Sequence, residues 1–191
     1  MTASTAERLV AAAAGLLDTG GESAVTLRAV GAAIGVSHNA PYKHFAARDD
    51  LLAAVATADF TALTETWRRI RTSQDGSVDR LVRVLDVAIR FAEDHPARYR
   101  LLFNSPGLAA REGPLRLAAE GALTEFTAII EDEQAAGSLP AAPSSHLAVV
   151  LFATVHGLID ADASGRLRPK TGWTQVSEGV QLLVRLLTTR S

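Results

Sequence analysis

Val25–Phe45, VTLRAVGAAIGVSHNAPYKHF, is the stretch whose reading decides the fold. Thr26 stands before an apolar run at helical spacing, Leu27, Val30 and Ile34, where its hydroxyl can accept an unbonded N–H at a helix start. Ala29, Ala32 and Ala33 keep that helix thin against its neighbours. Gly35 predicts its end, because a helix C-terminus commonly takes a left-handed residue. Ser37 predicts the cap of a second helix over His38–His44. Pro41 falls within it, and its missing N–H is expected among those the first turn leaves unbonded. Two short helices across a tight turn make a helix-turn-helix, whose second helix can lie in a DNA major groove.

Working outward, the 191 residues suffice for one sizeable core or two small ones. Hydrophobic residues at 48% and charged residues at 21% describe a soluble globular chain. With no cysteine, disulfides, thiolate zinc sites and cysteine nucleophiles are excluded. The start, MTASTAERLV, has no basic segment before a long apolar one, and Leu147–Ile159 is shorter than the roughly 20 residues that span a bilayer. The expectation is a cytoplasmic protein with no membrane partner. The net charge of −2 argues against a global positive field. The first fifty residues set Arg8, Arg28, Lys43 and Arg48 against Glu7, Asp18, Glu22, Asp49 and Asp50. DNA binding must then come from local placement of donors.

Alternating strand patterns are nearly absent and helical periodicity recurs, so the fold class is all-α. A first helix fits Thr5 to about Thr19, broken by Gly20 and Gly21. A long helix fits Asp49–Arg71, its acids first and its arginines last, matching the helix dipole over about 35 Å. The polar break Thr72–Ser77 is a candidate boundary. Further helices fit Val78–Asp94, Pro96–Phe103, Arg111 or Pro114 to Ala136, His146–Ala163 and Trp173–Thr188. His146–Ala163 is apolar nearly all round, which predicts burial on more than one side.

Thr26, Arg28, Val30, Gly35, Val36, Ser37, then Tyr42, His44 and Phe45, followed by ARDDLL, resemble the amino-terminal pattern of TetR/AcrR-type transcriptional regulators. The resemblance covers about Ala6–Leu52, a quarter of the chain. Gly31 departs from it where Ala is usual, and Arg48 where Lys is common. FATVHGL, Phe152–Leu158, is similar to a TetR C-terminal subgroup with a W-x-x-x-H-G pattern, with Phe152 in place of Trp. The resemblance implies an N-terminal three-helix bundle carrying the helix-turn-helix (1–48) and a helical ligand-binding and dimerisation domain (49–191).

Within that frame Ser37, Tyr42 and Lys43 offer donors to phosphates, and by resemblance Thr26, Arg48 and His44 join them. His38, Asn39 and Ala40 stand at the helix start, where Asn pairs with adenine and Ala meets a thymine methyl. Arg28 fits either DNA or an internal ion pair, and Phe45 fits the core. Leu85, Ile89, Phe91, Tyr99, Phe103, Leu123, Phe126, Ile130, Phe152 and His156 are candidate lining for a small, mainly apolar effector. Val149, Phe152, Gly157, Val176, Val180, Leu183 and Leu187 are candidate contacts of a homodimer, because one head reads too few bases alone. His156 and Asp160 have the spacing of a helix metal pair but lack a third ligand, so no metal or cofactor is expected. The reading is a ligand-responsive regulator, a repressor binding a palindromic double-stranded DNA operator. Its rivals are a helical enzyme, for which no G-x-S-x-G, H-E-x-x-H or phosphate loop is present, and a helical interaction module.

Overall fold

The computed structural model describes residues 3–73, 77–167, 172 and 175–188, and among them every regular element is helical. In order these are α1 (Thr5–Ala24), α2 (Leu27–Ala33), a 3-10 turn (Pro41–Lys43), α3 (Arg48–Arg71), α4 (Ser77–Asp94), α5 (Pro96–Phe103), α6 (Pro106–Ala109), α7 (Pro114–Ala135), α8 (Ser144–Ala163) and α9 (Val176–Thr188). They form two compact units. The first holds the chain up to Ala62 together with Asp94–Glu120; the second holds Leu63–Glu93 and the chain from Gly121 onward. Both units are discontinuous in sequence, because α3 and α7 each contribute to the two. Residues 74–76 of the expected break, and Pro169 and Trp173 around the start of the last helix, lie outside the described residues.

In the first unit α1 begins at a reciprocal cap. Ser4 Oγ accepts from Glu7 N–H at 3.2 Å, and Ser4 N–H donates to the Glu7 carboxylate at 2.7 Å. Leu9, Ala13 and Leu17, four residues apart, are its buried stripe, and the helical backbone is interrupted at Gly21. Leu51, Leu52 and Val55 of α3 are buried as well. Phe60 meets Phe103 edge-on at 5.6 Å, and Phe103 lies tilted against Tyr99 at 5.0 Å. Helix α6, Pro106–Ala109, opens on its proline and is only four residues long, too short to show a helical period in the sequence.

In the second unit Leu81, Val84, Leu85 and Ile89 of α4 are buried, as are Phe126, Ile129 and Ile130 of α7. Trp67 packs on Phe126 at 5.7 Å and donates its indole N–H to the Val84 carbonyl at 3.0 Å. Glu125, almost fully buried, accepts from Arg71 at 2.7 Å and Arg68 at 3.3 Å, tying the end of α3 to α7. Gln134 staples the Pro/Ala-rich loop by donating to the Pro140 and Ala142 carbonyls at 2.8 and 2.9 Å.

Helix α8 corrects one expectation. Only Ala148, Leu151, Val155 and Ile159 are buried, a single stripe, so the helix is covered on one side rather than several.

His156 of α8 is half-buried, its ring 4.0 Å from that of Phe152. Burial lowers its imidazole from 6.5 to about 4, with Asp160 pulling weakly the other way. The unfolded chain therefore takes up this proton near pH 6.5 while the folded chain resists until about pH 4, and stability drains as pH falls through that window. His156→Gln should flatten the acid limb of a urea-denaturation series by up to about 2 kcal/mol at about pH 5. Glu125→Ala, which leaves Arg71 only its longer pairing with Asp132 at 3.6 Å, should cost about 1 kcal/mol in the same assay.

Candidate nucleic-acid interface

Thr26 caps α2 as its position predicts, its hydroxyl accepting from Ala29 N–H at 3.0 Å. The helix closes on Gly35, at φ +71°: Gly35 N–H reaches the Ala32 carbonyl at 3.1 Å and Val36 N–H the Gly31 carbonyl at 3.0 Å. This double closure satisfies the last carbonyls and turns the chain sharply. Arg8 of α1 adds a bond to the Ile34 carbonyl at 3.0 Å.

The second helix is not the one expected over His38–His44. It is a 3-10 turn, Pro41–Lys43, preceded by Ala40 with no side-chain cap, so Ser37 does not cap it. Pro41 is the reason. In an α-helix capped at residue 37, the N–H of residue 41 is the first that must bond, to the carbonyl of the cap. Proline has none, and Ala40 N–H takes the Ser37 carbonyl instead at 2.9 Å, tightening the turn. Pro41 is buried against Gly31, where an added Cβ would lie 2.8 Å from the proline Cγ. The departure at Gly31 therefore seats the proline ring.

Pinned from below, the turn presents its other residues outward. His38, Asn39, Lys43 and His44 are exposed, Ser37 is exposed, Ala40 is half-buried, and Tyr42 is 56% exposed. Phe45 is half-buried. Arg28 is exposed and, among the described residues, forms no ion pair. Arg48 differs. It turns inward, donating to the Val25 carbonyl at 2.7 Å and to both backbone and side chain of Glu22, and so clasps the α1–α2 link to the start of α3. With Arg8 also committed, Arg28 and Lys43 are the cations this surface presents among the first fifty described residues. Sequence reading had no signal for these inward roles, since each arginine donates to a carbonyl more than twenty residues away.

The expected effector lining is divided. Tyr99 and Phe103 belong to the first unit; Leu85, Ile89, Phe91, Leu123, Phe126, Ile130, Phe152 and His156 belong to the second. Leu85, Ile89, Tyr99, Phe126 and Ile130 are buried in packed cores, whereas Leu123 and Phe152 are exposed. The expected dimer contacts also divide. Val149, Phe152 and Gly157 lie on the exposed side of α8, and Leu183 and Leu187 are half-buried. Val176 and Val180 are buried against their own unit, so the outward apolar residues of α9 are Leu182 and Leu186. A heptad-like list from sequence cannot say which stripe faces inward when both are apolar.

Together these features define an all-α helix-turn-helix protein with a helical carboxy-terminal part. Residues 9–55 match the family described as bacterial regulatory proteins, tetR family, and residues 81–187 match the tetracyclin repressor-like C-terminal domain. The chain belongs to the TetR family of transcriptional regulators, which bind DNA. It is 31% identical over 124 residues to an HTH-type transcriptional regulator of Mycobacterium tuberculosis, covering 64% of this chain. The chain spans 52% of that relative's length, about half. It superposes on a Rhodococcus protein of unknown function with a TM-score of 0.80 at 28% identity, over 97% and 94% of the two chains. A TetR family regulator, PfmR of Thermus thermophilus, matches with a TM-score of 0.65 at 16% identity, over 95% and 97%.

Gly31→Ala should force the Pro41 ring off its seat, costing about 1–3 kcal/mol in chemical denaturation as an overpacked contact. Adding Pro41→Ala should recover most of that loss; an uncorrected double variant would show that the two residues are not a fitted pair.

Proposed function

We propose that this chain is a ligand-responsive repressor that binds a palindromic operator as a homodimer. The observation that carries the reading is the exposed set of polar side chains on a turn pinned by Pro41 and Gly31, in a chain of the TetR family. Tyr42, Lys43, Ser37, Thr26 and Arg28 hold phosphates, with His44 beside them. His38, Asn39 and Ala40 meet base edges. Arg48 serves by holding the head's shape rather than by touching DNA. In functional terms residues 1–48 bind DNA, and residues 49–191 hold a small, mainly apolar effector and the partner subunit.

Two facts support the dimer. The surface near the reading turn offers few cations, so a single head gains little from the phosphate field. The outward faces of α8 and α9 leave Val149, Val150, Phe152, Leu182 and Leu186 exposed on the second unit, the apolar character of surface that oligomers cover. Release from the operator then needs only that the effector bind more tightly to the dimer whose heads are wrongly spaced.

A mobility shift with the DNA upstream of the gene tests the core reading; absence of a salt-sensitive specific complex would sink it. Tyr42→Ala with Lys43→Ala should weaken all sequences alike and reduce the salt slope by about 1. Asn39→Ala should relax preference at one position per half-site in a binding-site selection. Leu186→Glu should yield monomers by light scattering, and a persistent dimer would place the interface elsewhere.

A further inference from the structure

Two arginines of the Asp94–Glu120 stretch reach back to acids of α1 and α3, all within the first unit. Arg98 of α5 forks onto Asp59 of α3, Nε to Oδ2 at 3.0 Å with a second, shorter contact to Oδ1. Its remaining arm lies 3.3 Å from Asp18 of α1, whose carboxylate also receives His95 Nδ1 at 3.0 Å. Arg111, between α6 and α7, pairs with Asp50 in the first turn of α3. That carboxylate also accepts from Ala47 N–H at 3.0 Å and so begins α3, immediately after the reading turn.

The two ties differ in kind. Arg98 and Asp59 are 17% and 5% exposed, so neither has water to turn to if parted. Arg111 and Asp50 are 36% and 33% exposed, so their pairing is screened and separable. Arg111 also borders two cavities, of about 200 and 270 Å³, which leave it room to move. Contacts continue from Arg98 through Asp18 to α1, from Arg8 of α1 to the end of α2, and from Gly31 to Pro41. Covalently, the stretch enters from α4 and leaves through α7, both of which build the second unit.

We propose that Arg98 and Arg111 are positioning residues for DNA binding, clamping the Asp94–Glu120 stretch onto the head, with Arg98 as fixed pivot and Arg111 as a latch that opens. The proposal rests on the DNA-binding reading above, and it adds the device by which the rest of the chain sets the head's affinity.

The test uses the full chain as Arg111→Gln and Arg98→Lys, the second keeping charge where deletion could unfold the unit. Trp67→Phe, which loses a bond in the second unit only, serves as the stability control. Amide exchange by mass spectrometry should rise in Arg111→Gln around residues 46–52, and in Arg98→Lys around residues 14–20 and 55–60. Affinity for the upstream DNA should fall about tenfold in both, the scale of a typical coupling between sites, and stay unchanged in Trp67→Phe. Unchanged exchange in both clamp variants overturns the clamp. Faster exchange with intact affinity, or an equal loss in Trp67→Phe, overturns its role in DNA binding. A wild-type chain that binds no DNA specifically removes that role together with the reading it rests on, while the exchange data still report on the clamp itself.

Discussion

A guanidinium withdrawn from water between two carboxylates is the interaction on which the first unit depends. Burial pushes the Asp59 carboxyl up against the pull of Arg98, and Arg98, whose own burial opposes its charge, is held charged by Asp59 and Asp18. Such an arrangement adds little net stability, because desolvation consumes most of the attraction. What it imposes is geometry: a forked donor tolerates few orientations of its acceptor. In a unit whose helices are rich in alanine and pack closely, that constraint decides where α5 lies against α1 and α3. Glu125 does the comparable work in the second unit with Arg68 and Arg71.

The reading turn is built by subtraction. Pro41 removes the N–H that an α-helix would use first, and Gly31 removes the methyl that would hold the proline away. The outcome is a short turn held from beneath, with its polar residues facing out. Charge follows the same economy: Arg8 and Arg48 close carbonyls inside the head, and Arg28 and Lys43 remain outside. A head so sparing in cations presents placed donors rather than a broad positive field, which accords with a chain of net charge −2.

In the second unit the same helices face two ways. Ala148, Leu151, Val155 and Ile159 of α8, with Val176, Val180 and Val184 of α9, form one buried stripe, and a second apolar stripe remains outside. An isolated chain rarely leaves that much apolar side chain in water without a use for it.

Much was legible beforehand. The cap at Thr26, the stop at Gly35 and the acids and arginines at opposite ends of α3 are local physics, and each lies where its own chemistry puts it. The helix-turn-helix and the family follow from that short stretch, because the hydrogen bonds that define it close within a few residues. What the sequence could not decide were the questions answered across long separations. Whether Arg48 faces phosphate or the Val25 carbonyl, which stripe of α9 is buried, and which acids Arg98 and Arg111 meet all depend on helices brought together from 23 to 80 residues apart. Local periodicity fixes that a helix has an apolar side; only packing decides which partner covers it, because every apolar stripe and every arginine carries several partners of nearly equal chemistry until the tertiary fold selects one.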